Sequence, residues 1–174
     1  THVDVQFELE MKTVYAFIDT NFFLHYMPLD QIDWLSPLCA PKAVILLAPV
    51  VIRELNRQKE TNPVSKLRKR AASTLARLDE LAGGEVPAQI LGSVEVEFLP
   101  HEPSIDFTQH KLSPAIQDDQ LLASILEFRG PHSRDDIVLV TGDVGLKIKA
   151  RQHQVRTLTL PDRYKLPEET DPLE

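Results

Sequence analysis

The sequence is poor in the residues on which several common functional sites depend. Its 174 residues include one cysteine, Cys39, and only six glycines. A single cysteine excludes an internal disulfide and a zinc site built from several cysteines, and it is typical of a reducing compartment such as the cytoplasm. Neither glycine-rich nucleotide-binding motif, GxxxxGKS/T or GxGxxG, occurs in the chain.

The chain also lacks a long apolar run and an excess of basic residues. No apolar stretch approaches the ~20 residues that span a bilayer, so we expect a cytoplasmic protein without a membrane partner. Lysine and arginine number 19 against 26 aspartates and glutamates, which gives a net charge of −7. Proteins that bind nucleic acid through overall charge are normally basic. Any nucleic-acid partner must therefore meet a local cluster of positive charge.

Short apolar segments alternate with longer amphipathic ones. Strands are predicted at 14–19, 44–50, 94–99, 137–141 and 155–160, and longer helices at 62–83, 113–130 and 143–152. One or two short helices are expected within 22–38. This order predicts an α/β protein, a three-layer α/β/α sandwich around a mostly parallel sheet. We divide the chain into an N-terminal arm or added strand (1–13), a main domain (14–165) and an acidic, proline-containing tail or linker (166–174).

Carboxylates follow the predicted strands at similar positions. Asp19 ends the first strand, Asp143 follows the strand at 137–141, and Glu54 lies in the first helical turn after the second strand. Asp118 and Asp119 lie near the start of a later helix. Ligands of open parallel sheets bind beyond the carboxyl ends of the strands. Since clustered carboxylates repel one another unless a proton or cation neutralises them, the pattern predicts a divalent metal site.

Each of these acids also has a simpler interpretation. Asp19 and Asp143 could cap the segments that follow them, and Asp118 and Asp119 could stabilise a helix N-terminus. Glu54 could be a solvated helix residue. For any one acid the simpler interpretation is favoured, whereas their joint occurrence at equivalent positions of the sheet favours the metal site.

Four stretches resemble the PIN domain (PilT N-terminus) nuclease family. They are FIDTNFFL at 17–24, PVVIRELNRQK at 49–59, DDQLLASIL at 118–126 and LVTGDVGLKIKA at 139–150. Their order and spacing are similar to those of the family over roughly 14–160. The last stretch looks most like the subgroup whose PIN domains are fused to PhoH-type ATPases.

The resemblance implies a metal-dependent endoribonuclease that hydrolyses phosphodiester bonds of single-stranded RNA with Mg²⁺ or Mn²⁺. Carried over by motif, the catalytic acids are Asp19, Glu54, Asp119 and Asp143. The implied metal ligands are Asp19, Asp143 and one of the neighbours Asp118 and Asp119, of which Asp119 is preferred because of its offset from Leu122-Ala123. Asn21 and Thr141 resemble the family's polar support. Gly145 replaces the further acid or asparagine of many members, which favours one metal over two.

Positive charge near the acids supplies candidate RNA contacts. Arg53, Lys147 and Lys149 are the predicted ones, whereas the basic run at 66–70 is equally well explained as a solvated helix face. The predicted partners are single-stranded RNA, and further a second copy of the chain in a homodimer, an antitoxin, or a C-terminal domain.

Two other classes of protein compete with the nuclease. Response-regulator receivers and haloacid-dehalogenase phosphatases also place aspartates at strand ends. However, receivers carry their acidic pair after the first strand, and the phosphatases need Asp-x-Asp where this chain has Asp19-Thr20-Asn21. A catalytically weak or inactive PIN-like module that binds RNA or a protein remains the alternative.

Overall fold

The fold is built on one six-stranded sheet. The computed structural model describes residues 12–168, and the order of strands in the sheet is β3-β4-β2-β1-β5-β6. All neighbouring strands are parallel except β3, which is antiparallel to β4. The strands are β1 (Thr13–Ile18), β2 (Lys42–Leu47), β3 (Ala88–Leu91), β4 (Val94–Phe98), β5 (Asp136–Val140) and β6 (Arg156–Leu158).

Helices connect the strands, as the sequence predicts. The α-helices are α1 (Thr20–His25), α2 (Leu35–Leu38), α3 (Pro49–Thr61), α4 (Ser65–Gly83), α5 (Gln117–Arg129) and α6 (Val144–Gln152). Short 3₁₀ helices cover Leu29–Gln31 and Asp162–Tyr164. The longest helix, α4, packs against α3.

The central strands are covered on both faces. Five consecutive residues of β2, from Ala43 to Leu47, are buried, and so are the last three of β1. Consecutive side chains of a strand point to opposite faces, so both faces of the sheet must pack against other elements. This burial confirms the predicted α/β class with a mostly parallel sheet.

The order of strands reverses beside β1. The chain adds β2 and β4 on one side of β1 and β5 and β6 on the other. Ile18 pairs with Val140, and the backbone N–H of Asp19 donates to the carbonyl of Val140 at 3.4 Å. The carboxyl ends of β1 and β5 therefore lie side by side at the point where open α/β sheets bind ligands.

The structure differs from the sequence prediction at several boundaries. The strand predicted at 44–50 ends at Leu47, and Pro49 and Val50 begin α3. The edge strand β3 was not predicted; it forms a short hairpin with β4 through Gly92, whose φ is +47°. Asn62 ends α3 instead of starting the next helix, because α3 runs on to Thr61 and the Asn62 side chain accepts from the N–H of Val64 in a turn. Helix α5 begins at Gln117, after a turn that holds Ser113-Pro114.

The predicted termini fall mostly outside the described residues. Residues 1–11 of the predicted arm and 169–174 of the predicted tail lie outside, and Thr13 is the first residue of β1. Leu166 donates its N–H to the carbonyl of His25 at 2.8 Å. No helix within residues 12–168 is long and apolar enough to cross a membrane.

Two leucines of the sheet should differ sharply in their contribution to stability. Leu46 is fully buried near the carboxyl end of β2, whereas Leu91 is exposed on the edge strand β3. We expect Leu46→Ala to lower the free energy of unfolding by about 2–5 kcal/mol because it leaves a cavity, and Leu91→Ala to lower it by less than about 1 kcal/mol. Equilibrium denaturation in urea measures both values, and equal losses would contradict the burial pattern.

Candidate metal centre

Asp19 is held in one orientation between β1 and α1. As the N-cap of α1 it accepts at Oδ1 from the N–H of Phe22 at 3.0 Å, and its Oδ2 accepts from Oγ1 of Thr141 at 2.5 Å. Only 6% of the residue is exposed. Such capping explains part of its position, as the simpler interpretation expected, but it does not explain the burial of a charge.

Thr141 joins the two acids at the ends of β1 and β5. Its hydroxyl donates to Asp19 and accepts from the N–H of Asp143 at 3.0 Å. Asp143 caps α6 by accepting at Oδ1 from the N–H of Leu146 at 2.9 Å, and its side chain is exposed. Thr141 thus lies where the sequence predicted polar support for the first and last acids.

One cleft collects most of the predicted acids. Its volume is about 240 Å³, and its carboxylates come from β1, α3, α5 and the start of α6, namely Asp19, Glu54, Asp118 and Asp143. Asn21 lines it as well, together with Thr20, Val50, Val51, Arg57, Gln58, Gln117 and Leu121. The cleft is therefore lined mostly by residues of α1, α3 and α5, and Asp19 and Asp143 bring the ends of β1 and β5 to it.

Asp119 does not line this cleft. It is buried, and its Oδ1 accepts from Nζ of Lys149 at 2.6 Å while its Oδ2 accepts from the N–H of Ser113 at 2.9 Å. Both carboxylate oxygens are thus engaged in hydrogen bonds, one from α6 and one from the segment before α5. The structure places Asp118, half-buried, in the cleft instead, which differs from the preference for Asp119 drawn from motif offsets.

The cleft is electrostatically unfavourable for its own acids. Burial raises the pKa of Asp19 to about 6, and repulsion from Asp143 and Asp118 adds to this, against the hydrogen bonds from Thr141 and Phe22. Burial also raises the pKa of Asp118, with Asp143 adding and Lys149 opposing. A proton or a cation in the cleft would reduce this repulsion between the carboxylates.

The donor set suits a hard cation that keeps part of its water shell. Within residues 12–168, no group of three or more His, Cys, Asp or Glu side chains is arranged to hold a metal ion. The cleft nevertheless offers carboxylate oxygens with no sulfur or imidazole among them. Magnesium typically binds through one or two carboxylates, with waters and substrate phosphates completing its coordination. The residues present therefore fit such an ion.

The predicted RNA contacts are engaged elsewhere or lie outside the cleft. Arg53 bonds to Glu102 and to Gln120, and Lys149 pairs with Asp119. Lys147 is half-buried and does not line the cleft. The basic side chain that does line it is Arg57, which the sequence analysis did not select, although its i,i+3 spacing from Glu54 could have indicated it.

A second groove adjoins the cleft at the acids. Its volume is about 470 Å³, and it shares Asp19, Asn21 and Asp143 with the cleft. Tyr26 and Lys165 line its far side. The acids thus lie between two open spaces, with room for a chain-like ligand on both sides.

The chain was also compared with models of known protein families. The family described as PIN domain matches residues 16–160, which is most of the chain. A search of curated proteins found no match.

The buried carboxyl of Asp19 should make stability depend on pH. Its folded-state pKa of about 6 lies above the ordinary 3.8, so its protonation contributes stability that is fully present below pH 3.8 and is lost as the pH rises through 6. In EDTA, the free energy of unfolding of the wild type relative to Asp19→Asn should fall by about 2 kcal/mol between pH 4.5 and 7.5. Urea denaturation across this range measures the difference, and a difference independent of pH would contradict the assignment.

The variants Asp118→Asn and Asp119→Asn should distinguish the roles of these two neighbouring acids. Loss of the Asp119 carboxylate breaks its pair with Lys149 and should lower the free energy of unfolding by about 1–3 kcal/mol, whereas Asp118→Asn removes repulsion and should not destabilise the metal-free protein. Conversely, we expect Mn²⁺ to raise the melting temperature of Asp119→Asn but much less that of Asp118→Asn. Thermal denaturation with Mn²⁺ or EDTA at equal ionic strength is the measurement, and the reverse pattern would restore Asp119 as the ligand.

Proposed function

The chain belongs to the PIN domain family, and on that premise we propose that it is a metal-dependent endoribonuclease acting on single-stranded RNA. PIN domains are typically metal-dependent nucleases. The observation that carries the proposal is the cleft in which the carboxylates of Asp19, Asp118 and Asp143 converge beside the reversal of strand order.

We assign the cation, Mg²⁺ or Mn²⁺, to the cleft lined by Asp19, Asp118 and Asp143, where one or two of these carboxylates would bind it directly and the rest through its water shell. An ion held there would supply an acidified water and would offset negative charge on the phosphodiester. Gly145 supports a site with a single ion, because no further acid follows Asp143. A Cβ at this position would lie 3.3 Å from Oδ1 of Asp143, so the glycine also leaves that carboxylate uncrowded.

The remaining polar residues hold these acids in place. The hydroxyl of Thr141 donates to the carboxylate of Asp19 and accepts from the backbone N–H of Asp143, so it positions both residues. Asn21 is exposed where the cleft and the second groove meet, and we propose that its amide hydrogen-bonds to the sugar-phosphate chain. Asp119 acts indirectly, since it fixes the start of α5, on which Asp118 lies.

Finer features of the function follow from the resemblance alone. The segment LVTGDVGLKIKA at 139–150 supports placement in the subgroup fused to PhoH-type ATPases. That placement favours a further domain as partner, whereas the homodimer and the antitoxin stay predictions.

The decisive experiment uses labelled single-stranded RNA with Mn²⁺, Mg²⁺ or EDTA. We expect cleavage with either ion, none in EDTA, and a loss of about 100-fold or more in the double variant Asp19→Asn, Asp143→Asn, because both ligating carboxylates are removed. Arg134→Gln, outside the cleft, serves as a purification-matched control and should cleave like the wild type.

Equal cleavage by the double variant would show contamination and remove the support for this site. RNA binding without cleavage under either ion would instead favour the non-catalytic PIN-like module.

A further inference from the structure

Arg57 lies on the wall of the acidic cleft, beside Glu54 of the same helix. Helix α3 carries Glu54 and Arg57 one turn apart, and Nη2 of Arg57 donates to Oε2 of Glu54 at 2.8 Å. The Glu54 side chain is 11% exposed, whereas that of Arg57 is 58% exposed. The carboxylate thus anchors one edge of a guanidinium group whose remainder faces solvent at the cleft.

The guanidinium retains donors for a second acceptor. It carries five N–H groups in a planar fork, and within residues 12–168 its side chain donates one hydrogen bond, to Glu54. A phosphate can accept two parallel N–H bonds from such a fork. Glu54 therefore orients the guanidinium of Arg57 and leaves other N–H donors of this group available.

An acidic cleft needs positive charge at its edge to admit a phosphate. The carboxylates of Asp19, Asp118 and Asp143 repel an RNA backbone wherever a cation does not offset them. Among the residues that line the cleft in the described part of the chain, Arg57 is the one with a permanent positive charge.

We propose that Arg57 binds a backbone phosphate of the substrate next to the scissile bond, and that Glu54 is a positioning residue that holds Arg57 rather than a ligand of the metal. This inference rests on the proposed nuclease function. It assigns Glu54 a role different from the one that the family resemblance implies.

The test measures RNA affinity as a function of salt in a protein that does not cleave. In the Asp143→Asn background with Mg²⁺, the affinity for a labelled single-stranded RNA 8-mer is followed by fluorescence anisotropy at several KCl concentrations. We expect Arg57→Gln to weaken binding about tenfold and to reduce the slope of log affinity against log salt by about 0.7, the value for one phosphate contact on a single strand. Arg57→Lys should retain the slope, because it keeps the charge.

A matched variant on the same helix controls for net charge. Lys59→Gln removes one positive charge outside the cleft and should leave the slope unchanged. Melting temperatures verify that every variant is folded. A slope for Arg57→Gln equal to that for Lys59→Gln would overturn the proposal, and so would a complete lack of RNA binding.

Glu54→Gln tests the positioning role. It should weaken RNA binding in the same direction, and adding it to Arg57→Gln should cause little further loss, since both changes remove one interaction. With Asp143 intact, Glu54→Gln should keep the Mn²⁺-induced rise in melting temperature. Loss of that rise would make Glu54 a metal ligand and overturn its assignment as a positioning residue.

Cleavage is measured separately in the protein that retains Asp143. If the wild type fails to cleave RNA but Arg57→Gln still lowers the salt slope, the nuclease proposal fails while the phosphate contact stands. If the wild type cleaves and the slope does not change, the contact fails and the nuclease proposal stands.

Discussion

The hydrogen bond from Oγ1 of Thr141 to Oδ2 of Asp19 joins two strand ends that are 122 residues apart in the sequence. The same hydroxyl accepts from the N–H of Asp143, and the carbonyl of Thr141 accepts from Oγ1 of Thr159 at 2.9 Å. One residue thus ties together the segments after β1, β5 and β6. The separation of Asp19 from Asp143, and with it the shape of the cleft, depends on this contact.

Burying the charged carboxylate of Asp19 destabilises the folded protein, and burial of the apolar strands offsets this loss. A carboxylate that is 6% exposed and repelled by two others is held in place although its charged form is disfavoured. Burial of β1 and β2 on both faces stabilises the strand ends enough to fix the acids. A site that binds a charged ligand is expected to lower the stability of the ligand-free protein, because its side chains are placed for the ligand and not for maximal stability.

The parts of the site that follow from strand ends could be predicted, and those that depend on distant partners could not. Asp19 and Asp143 follow continuous apolar runs, so their place at one edge of the sheet is readable from sequence. Asp118 and Asp119 are adjacent, and the turn of the helix sends their side chains in different directions. The pair of Asp119 with Lys149, 30 residues away, and the hydrogen bond from the N–H of Ser113 hold Asp119 outside the cleft, and the local sequence pattern does not indicate the pair with Lys149. The strand β3 escaped prediction because it is short and lies at an edge.

The distribution of ion pairs explains how a chain with a net charge of −7 can meet a phosphate. Lys149 neutralises Asp119, whose side chain is 4% exposed, so drawing Lys149 toward RNA would leave a buried charge unpaired. Arg53 is held by Glu102, away from the cleft. Arg57 is different, because its partner Glu54 lies in the cleft wall and its fork has donors left over. Arg57 can therefore bind a phosphate while it keeps its hydrogen bond to Glu54. The position of a basic side chain and its number of remaining donors, more than the net charge of the protein, determine whether it binds the substrate.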